Sequence, residues 1–458
     1  MERRFEIRKQ EILKEADIHP QVANGMVKRL EQFAQPFIAS FGRREPKENA
    51  QMYMSGLLSD LERKNVESIA YRYDRSREAL QKFIGQAPWD HRPLQQELVR
   101  QVGLEIGQPE GVIVFDPSGH KKCGRDSVGV QRQWLGRLGK VDNGQVGVYM
   151  GYASAKEHAL VDQRLFLPQA WAQDKARRSK CGVPKEIRYQ TRHQLALEML
   201  ENNGKYLPHG WITGDDEMGR SSGFRRDLRG LDERYLLAVP SNSNIRDLES
   251  EPPAYGGRGQ PPQQPFQRVD RWCSTLRHAA WTKVDVRDGE KGPLVTEITK
   301  RVVVARTERG RDDGSEELLV VTRTQESNGT MKYDYYLSNA PADTSLHELA
   351  RVVKAEHRIE DCLKRAKSEA GLSDYEVRTW AGWYHHQTLS LIALWFLILE
   401  MRRGKKIYPG SYGSPGSDDA VRAAAKCLRP SVSWMGGTLD RTQKQTQRTC
   451  SILSLRAT

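Results

Sequence analysis

Three acidic segments of this chain sit where a carboxylate could be held rigidly and still face a cleft. Asp116 directly follows the apolar run VIVF in VIVFDPSGHKKCGRDSVGV, residues 112–130. Buried strands hold functional groups at their carboxyl ends, where the sheet fixes a side chain that remains open to a crevice. GWITGDDEMG at 210–219 repeats the pattern, an apolar run ending in Asp215 and Asp216. Successive strand residues point to opposite faces, so only one of these two can face the cleft if the strand continues. Asp215 is taken as the inward one, with Asp216 as the alternative. HRIEDCLKRAK supplies a third acid on a helix, where Glu360 and Lys367 are seven residues apart and share a face. Each segment taken singly also fits a solvated turn or helix face; the combination points to chemistry.

Carboxylate oxygens suit Mg²⁺, with Mn²⁺ as a substitute, and such ions keep open positions for water and phosphate oxygens. Two of them about 3.5–4 Å apart can activate an attacking oxygen and stabilise a leaving one. Lys367 is placed to contact a phosphate. The glycines of the first segment suggest a different chemistry, a phosphate-cradling loop. Gly119 and Gly124 have the right separation for it, but Arg125 and Asp126 follow where a Lys and a Ser or Thr are needed. An aspartate there would repel the ligand, so that reading fails. His120, Lys121 and Lys122 then become candidates for DNA-backbone contact, with plain loop solvation as the alternative. His385 and His386 adjoin an apolar, aromatic run and suit packing or DNA contact.

The partner is suggested by charge. Among 458 residues, 72 Lys and Arg outnumber 59 Asp and Glu, a formal excess of 13 positive charges. That balance favours a polyanion through counterion release, or else a surface that is simply basic. The amino terminus, MERRFEIRKQEILKE, has no apolar core of a signal peptide. The most apolar run, LIALWFLIL at 391–399, is far shorter than the roughly 20 residues that span a bilayer and reads as a buried helix. The six cysteines include no C-x-x-C pair, which argues against a zinc module and a disulfide framework. A reduced cytoplasmic protein, with no membrane association, is expected.

The elements that must position these acids follow from periodicity. Residues 1–100 read as a helical segment. Within it KNVESIAYRYDRSREALQKFIG has apolar residues at helical spacing on either side of a DRS turn. This suits a helix-turn-helix with Arg75, Arg77 and Lys82 near a major groove, or an ordinary helical hairpin. Over 105–245, GVIVF, GQVGVYMGY, ALVDQRLFL, GWITG and YLLAVP read as strands, with helices at RHQLALEMLENNG and FRRDLRGL. These describe a mixed α/β sheet covered by helices. EPPAYGGRGQPPQQP at 251–265 reads as an extended linker, and WTKVDVRD, TEITKRVVVART, ELLVVTRT and YDYYLSN form a β-rich segment within 246–345. Helical patterns return over 346–402. The tail, 403–458, is basic and expected to be partly disordered.

The sequence resembles a known family, the bacterial insertion-sequence transposases of the DDE superfamily, in the cut-and-paste group with an inserted β domain. The resemblance runs from roughly 50 to 400 and is carried by MSGLLSDLERKNVESIA, FDPSGHKKCGRDSVGVQRQWLGRLGKVDNGQVGVYMGYAS, WITGDDEMGR and HRIEDCLKRAKSEAGLSDYEVRTWAGWYHH. It implies a ribonuclease-H-like core with the first two acids on the first and fourth strands and a β insertion before the glutamate helix. Asp116, Asp215 and Glu360 would be the catalytic metal ligands, with Lys367 assisting. The implied activity is binding of terminal inverted repeats, DNA cleavage and transfer of 3′-OH ends to target DNA, by a homodimer, in the cytoplasm and at the nucleoid when DNA-bound. A catalytically inactive DNA-binding derivative and a nuclease that cuts without joining are the alternatives.

Some members carry a Tyr, Arg, Glu and Lys signature whose register falls here on Val353, Glu356, Glu360 and Lys367. The first two positions depart from it. Arg358 is the candidate to replace the missing arginine, and Lys364 is a further DNA-contact candidate. Trp281 could stack on a flipped base as in some relatives, or serve as a core or strand-edge residue.

Overall fold

The computed structural model describes residues 25–407, apart from positions 261, 290, 291, 309, 311 and 327. The first part of the expected amino-terminal helical segment, and all of the basic tail from 408 onward, lie outside the described residues.

Five helices open the described chain: α1 (Met26–Ile38), α2 (Arg44–Leu58), α3 (Val66–Arg72), α4 (Arg77–Gly85) and α5 (Arg92–Ile106). On α1 the buried residues Met26, Leu30, Ala34, Phe37 and Ile38 recur at helical spacing, which gives the helix one apolar face. The DRS segment is a turn, with Asp74 in the left-handed region at φ 52°. Ser76 caps α4 by accepting a hydrogen bond from the Ala79 amide, and Asn65 caps α3 in the same way through Ser68.

The expected strands follow as β1 (Val112–Lys121), β3 (Lys140–Ala153), β4 (His158–Leu165), β5 (Trp211–Gly214) and β6 (Tyr235–Val239), with a short β2 (Gln131–Leu135) that the sequence patterning did not suggest. β1 is antiparallel to β3 and parallel to β5; β3 is antiparallel to β4, and β5 is parallel to β6. The order β4-β3-β1-β5-β6 with these senses is the ribonuclease-H-like arrangement. Val112 to Phe115 are buried, as expected of a central strand covered on both faces. The helices α6 (Gln169–Gln173), α7 (Lys175–Lys180) and α8 (Arg192–Asn203) lie between β4 and β5, and α9 (Asp216–Arg220) and α10 (Ser222–Gly230) lie between β5 and β6.

The β-rich segment comprises β7 (Asn244–Asp247), β8 (Gln267–Arg268), α11 (Val269–Ser274), β9 (Thr282–Gly289), β10 (Gly292–Arg306), β11 (Asp312–Gln325) and β12 (Met331–Ser338). β12 pairs antiparallel with β6, so these strands extend the central sheet rather than forming a second one; twelve strands of the described residues make a single sheet. The segment also has an apolar cluster of its own, built on Ile245, Val269, Trp272, Val303, Leu319 and Val321.

Two long helices, α12 (Leu346–Glu369) and α13 (Trp380–Ile407), close the described chain. The LIALWFLIL run lies within α13 and is buried from Leu391 to Ile398. Among the described residues no helix is long and apolar enough to cross a membrane. The main core joins α1–α5, the first strands, α12 and α13 in one contiguous cluster.

Candidate active site

Sheet register brings the first two acids together. The last parallel pair between β1 and β5 is Phe115 with Gly214. Asp116 and Asp215 are the next residues on their respective chains, and adjacent strands run about 4.8 Å apart. β5 ends there, so β1 continues with Asp116 at the mouth of the crevice that opens beyond the end of its parallel neighbour. Asp215 is no longer strand: it is the N-cap of α9 and accepts a hydrogen bond from the Met218 amide at 3.2 Å. The alternation that was to separate Asp215 from Asp216 therefore does not operate, and cap geometry does so instead. Asp216 turns outward, 57% exposed and 3.7 Å from Arg220.

α12 brings the third acid over the sheet. Its start is fixed by the Ser345 cap and by the Trp211 indole on β5, which donates to Glu348 at 2.9 Å. In its middle, Ile359 packs onto Gly151 of β3. A Cβ on that glycine would lie 2.6 Å from Ile359 Cδ1. Towards its end, the Lys367 ammonium donates to Ser118 Oγ at 2.7 Å. Ser118 stands two residues beyond Asp116, on the same face of β1. The helix is thus held on three strands, and Glu360 projects between the second and third of these contacts.

Electrostatics tie the acids into one group. Burial pushes the Asp116 carboxyl up to about 6, the Glu360 carboxylate adds to this, and Lys367 opposes it. Asp215 is pushed well above the usual range by burial, then by Asp116 and Glu217. Glu360 is half-exposed, and the His357 imidazole, 4.0 Å away, holds its carboxyl below the usual value. A like-charged, oxygen-only set facing a cleft has the donor chemistry of a hard divalent cation site. Among the described residues no three such groups stand close enough together to enclose an ion. The set is a gathering of carboxylates rather than a closed cage.

Residues 36–293 match a family described as DDE superfamily endonuclease. That stretch contains Asp116 and Asp215 and ends before Glu360. The chain is also 34% identical, over 370 residues, to a protein of Microchaete diplosiphon named "Probable transposase for insertion sequence element IS701"; the aligned region covers 79% of this chain and 84% of that one. The protein belongs to the DDE superfamily, among the insertion-sequence transposases. Among solved structures, it is similar to the piggyBac transposase in a synaptic complex with hairpin DNA, with 12% identity, a TM-score of 0.42, and 93% of this chain and 84% of that chain covered.

The DNA-contact candidates of this DDE-superfamily chain divide sharply. His120 and Lys122 are engaged within the protein. His120 is buried, with Nε2 2.8 Å from the Tyr149 hydroxyl. The Lys122 ammonium donates to the Tyr375 carbonyl at 2.8 Å, lies over the Tyr375 ring, and is pushed down to about 8 by burial. β1 runs on through Lys121 instead of becoming a loop at Asp116, so its side chains continue to alternate. Lys121 is the one of the three turned outward, 61% exposed and 3.9 Å from Asp142. Arg75, Arg77 and Lys82 are exposed, Arg77 between Glu67 and Glu78. Lys364 is exposed beside Asp361, whereas Arg358 donates to the Ser154 carbonyl at the β3–β4 turn. The Trp281 ring is occupied within the β-rich segment, with the Arg323 guanidinium 4.3 Å from its centroid.

Sequence reasoning overlooked two acids at the site. Glu217, held by Arg192 at 2.5 Å, acts on both aspartates. Glu356, considered only as a departure from the expected arginine, faces the same group. Its spacing of four from Glu360 was the available signal, since that spacing puts both on one helix face.

Proposed function

We propose that this protein is a transposase that binds the ends of a mobile element, cleaves the DNA there and joins the freed 3′-OH ends to target DNA. The observation that carries this reading is the convergence of Asp116, Asp215 and Glu360 from adjacent parallel strand ends and the helix that crosses them. Asp116, Asp215 and Glu360 would hold Mg²⁺, or Mn²⁺ in its place. Two such ions, when bound, supply the charge that activates an attacking oxygen and stabilises the leaving oxygen in phosphoryl transfer.

The chain's own residues orient the substrate. Lys367, already anchored at Ser118 beside Asp116, presents its ammonium to a phosphate on the strand being cut. The nucleophile is water for cleavage and the 3′-OH for joining. Exposed Arg75, Arg77, Lys82, Lys121 and Lys364 supply backbone contacts, and the formal charge of +13 supports a DNA partner. Pairing of two element ends calls for a homodimer, acting in the bacterial cytoplasm on nucleoid DNA.

The test is incubation of the full chain with labelled element ends and a target plasmid, with and without Mg²⁺. Mg²⁺-dependent cut and joined products support the proposal. Cutting without joining makes the protein a nuclease, and binding without any cutting makes it a DNA-binding derivative.

A further inference from the structure

Glu356 stands on α12 one turn before Glu360, on the same face of the helix. The residue as a whole is half-buried, but its Oε2 is withdrawn from solvent and has no hydrogen-bond partner. The carboxyl is pushed well above its usual range by burial first, then by Asp215, Glu360 and Asp116. Three of the four interacting acids belong to the candidate metal site; the fourth is Asp334 of β12. The signature that some members of the resembled family carry has an arginine in this register, which would oppose the negative charge; the glutamate here adds to it.

Two physical facts make this arrangement costly by itself. Like charges four apart on a helix repel. A buried carboxylate oxygen without a donor loses its hydration and receives nothing in return. A carboxyl in such a position escapes the cost either by holding a proton, the direction in which burial and its acidic neighbours push it, or by coordinating a metal that displaces the proton. The Glu356 side chain cannot relieve its position through Lys367, which is three helical turns further along and bound at Ser118.

We propose that Glu356 is a fourth carboxylate of the metal centre, binding the divalent cation together with Asp116, Asp215 and Glu360. This rests on the reading of those three acids as metal ligands. In this chain the helix would offer two ligands, Glu356 and Glu360, from a single face.

The experiment is Mn²⁺ binding to the full-length, DNA-free protein, followed by the electron paramagnetic resonance signal of free Mn²⁺, for the unmutated chain, Glu356→Gln, Glu356→Asp and Asp116→Asn. Circular dichroism confirms that each variant is folded. The expected result is at least a tenfold loss of Mn²⁺ affinity in Glu356→Gln, partial recovery in Glu356→Asp, and a larger loss in Asp116→Asn. Unchanged affinity in Glu356→Gln, with affinity lost in Asp116→Asn, overturns the proposal and leaves the three-acid site standing. Unchanged affinity in both variants overturns the site itself, and Glu356 with it. If Glu356→Gln does not fold, Glu356→Asp alone decides: wild-type affinity rejects the proposal, and a shifted affinity supports it.

Discussion

Gly151 is where the fold most directly sets the position of the glutamate helix. It lies on β3, paired with Val114 of β1 on one side and Leu160 of β4 on the other. A Cβ added there would fall 2.6, 2.9 and 2.9 Å from Ile359 Cδ1, Cγ1 and Cγ2. Three atoms of one stiff, β-branched side chain cannot all be cleared by a rotamer change, so α12 must lift from the sheet. Overpacking of this kind costs about 1–3 kcal/mol. Ile359 immediately precedes Glu360, so the lift is transmitted to the third acid. A displacement on the order of 1 Å at a catalytic group can cost about 100-fold in rate. Gly151→Ala should therefore lower the denaturation midpoint and reduce DNA cleavage far more than DNA binding. Combining it with Ile359→Ala tests the cause: Ile359→Ala alone costs about 2–5 kcal/mol, but in the double variant the added methyl occupies space the isoleucine has left. A favourable coupling of at least about 1 kcal/mol is expected from the double-mutant cycle. Additive costs, or wild-type cleavage by Gly151→Ala, would refute the reasoning.

Two further outcomes follow. Lys367→Met removes one phosphate contact, so the slope of log affinity against log salt for element-end DNA should become shallower by about 1, with folding retained; an unchanged slope contradicts the role given to this lysine. His386 is buried, held between the Tyr53 hydroxyl at 2.8 Å and the Gly371 carbonyl at 3.0 Å, and burial pushes its imidazole down to about 3 from 6.5. The folded state thus holds the neutral ring. Its contribution is fully present above pH about 6.5 and is lost as pH falls toward 3, because the unfolded chain takes up the proton first. Between pH 6.5 and 5 that loss is about 2 kcal/mol, and His386→Gln should flatten the wild-type decline in urea-unfolding stability over that window by this amount. An equally steep decline in the variant contradicts it.

Much of the catalytic core is legible because its strands are short apolar runs ending in turn residues. VIVF, WITG and YLLAV are buried and bounded by Asp, Gly or Pro, so pattern and structure agree. β2, QRQWL, escapes because it lies at the sheet margin and its burial alternates weakly among polar residues. The acids at 116 and 215 can be found from the ends of apolar runs. Their adjacency cannot, since it depends on the parallel register of β1 and β5, a long-range pairing. Choosing between Asp215 and Asp216 likewise needed the cap of α9, which a strand-alternation rule does not contain. The internal partners of His120 and Lys122 were hidden for the same reason: the apolar run stops at Phe115, but hydrogen bonding to β3 carries β1 on to Lys121 through residues of no marked strand preference. The continuity of the β-rich segment with the central sheet depends on the β6–β12 pairing across about 100 residues of chain.

The central claim, that Asp116, Asp215 and Glu360 form a divalent-metal site, is tested most directly by anomalous X-ray diffraction from crystals of the full chain grown with Mn²⁺. The prediction is an anomalous peak bounded by the Asp116, Asp215 and Glu360 carboxylates and missing from Asp116→Asn crystals. Mn²⁺ bound elsewhere, with these three carboxylates free of it, would contradict the account.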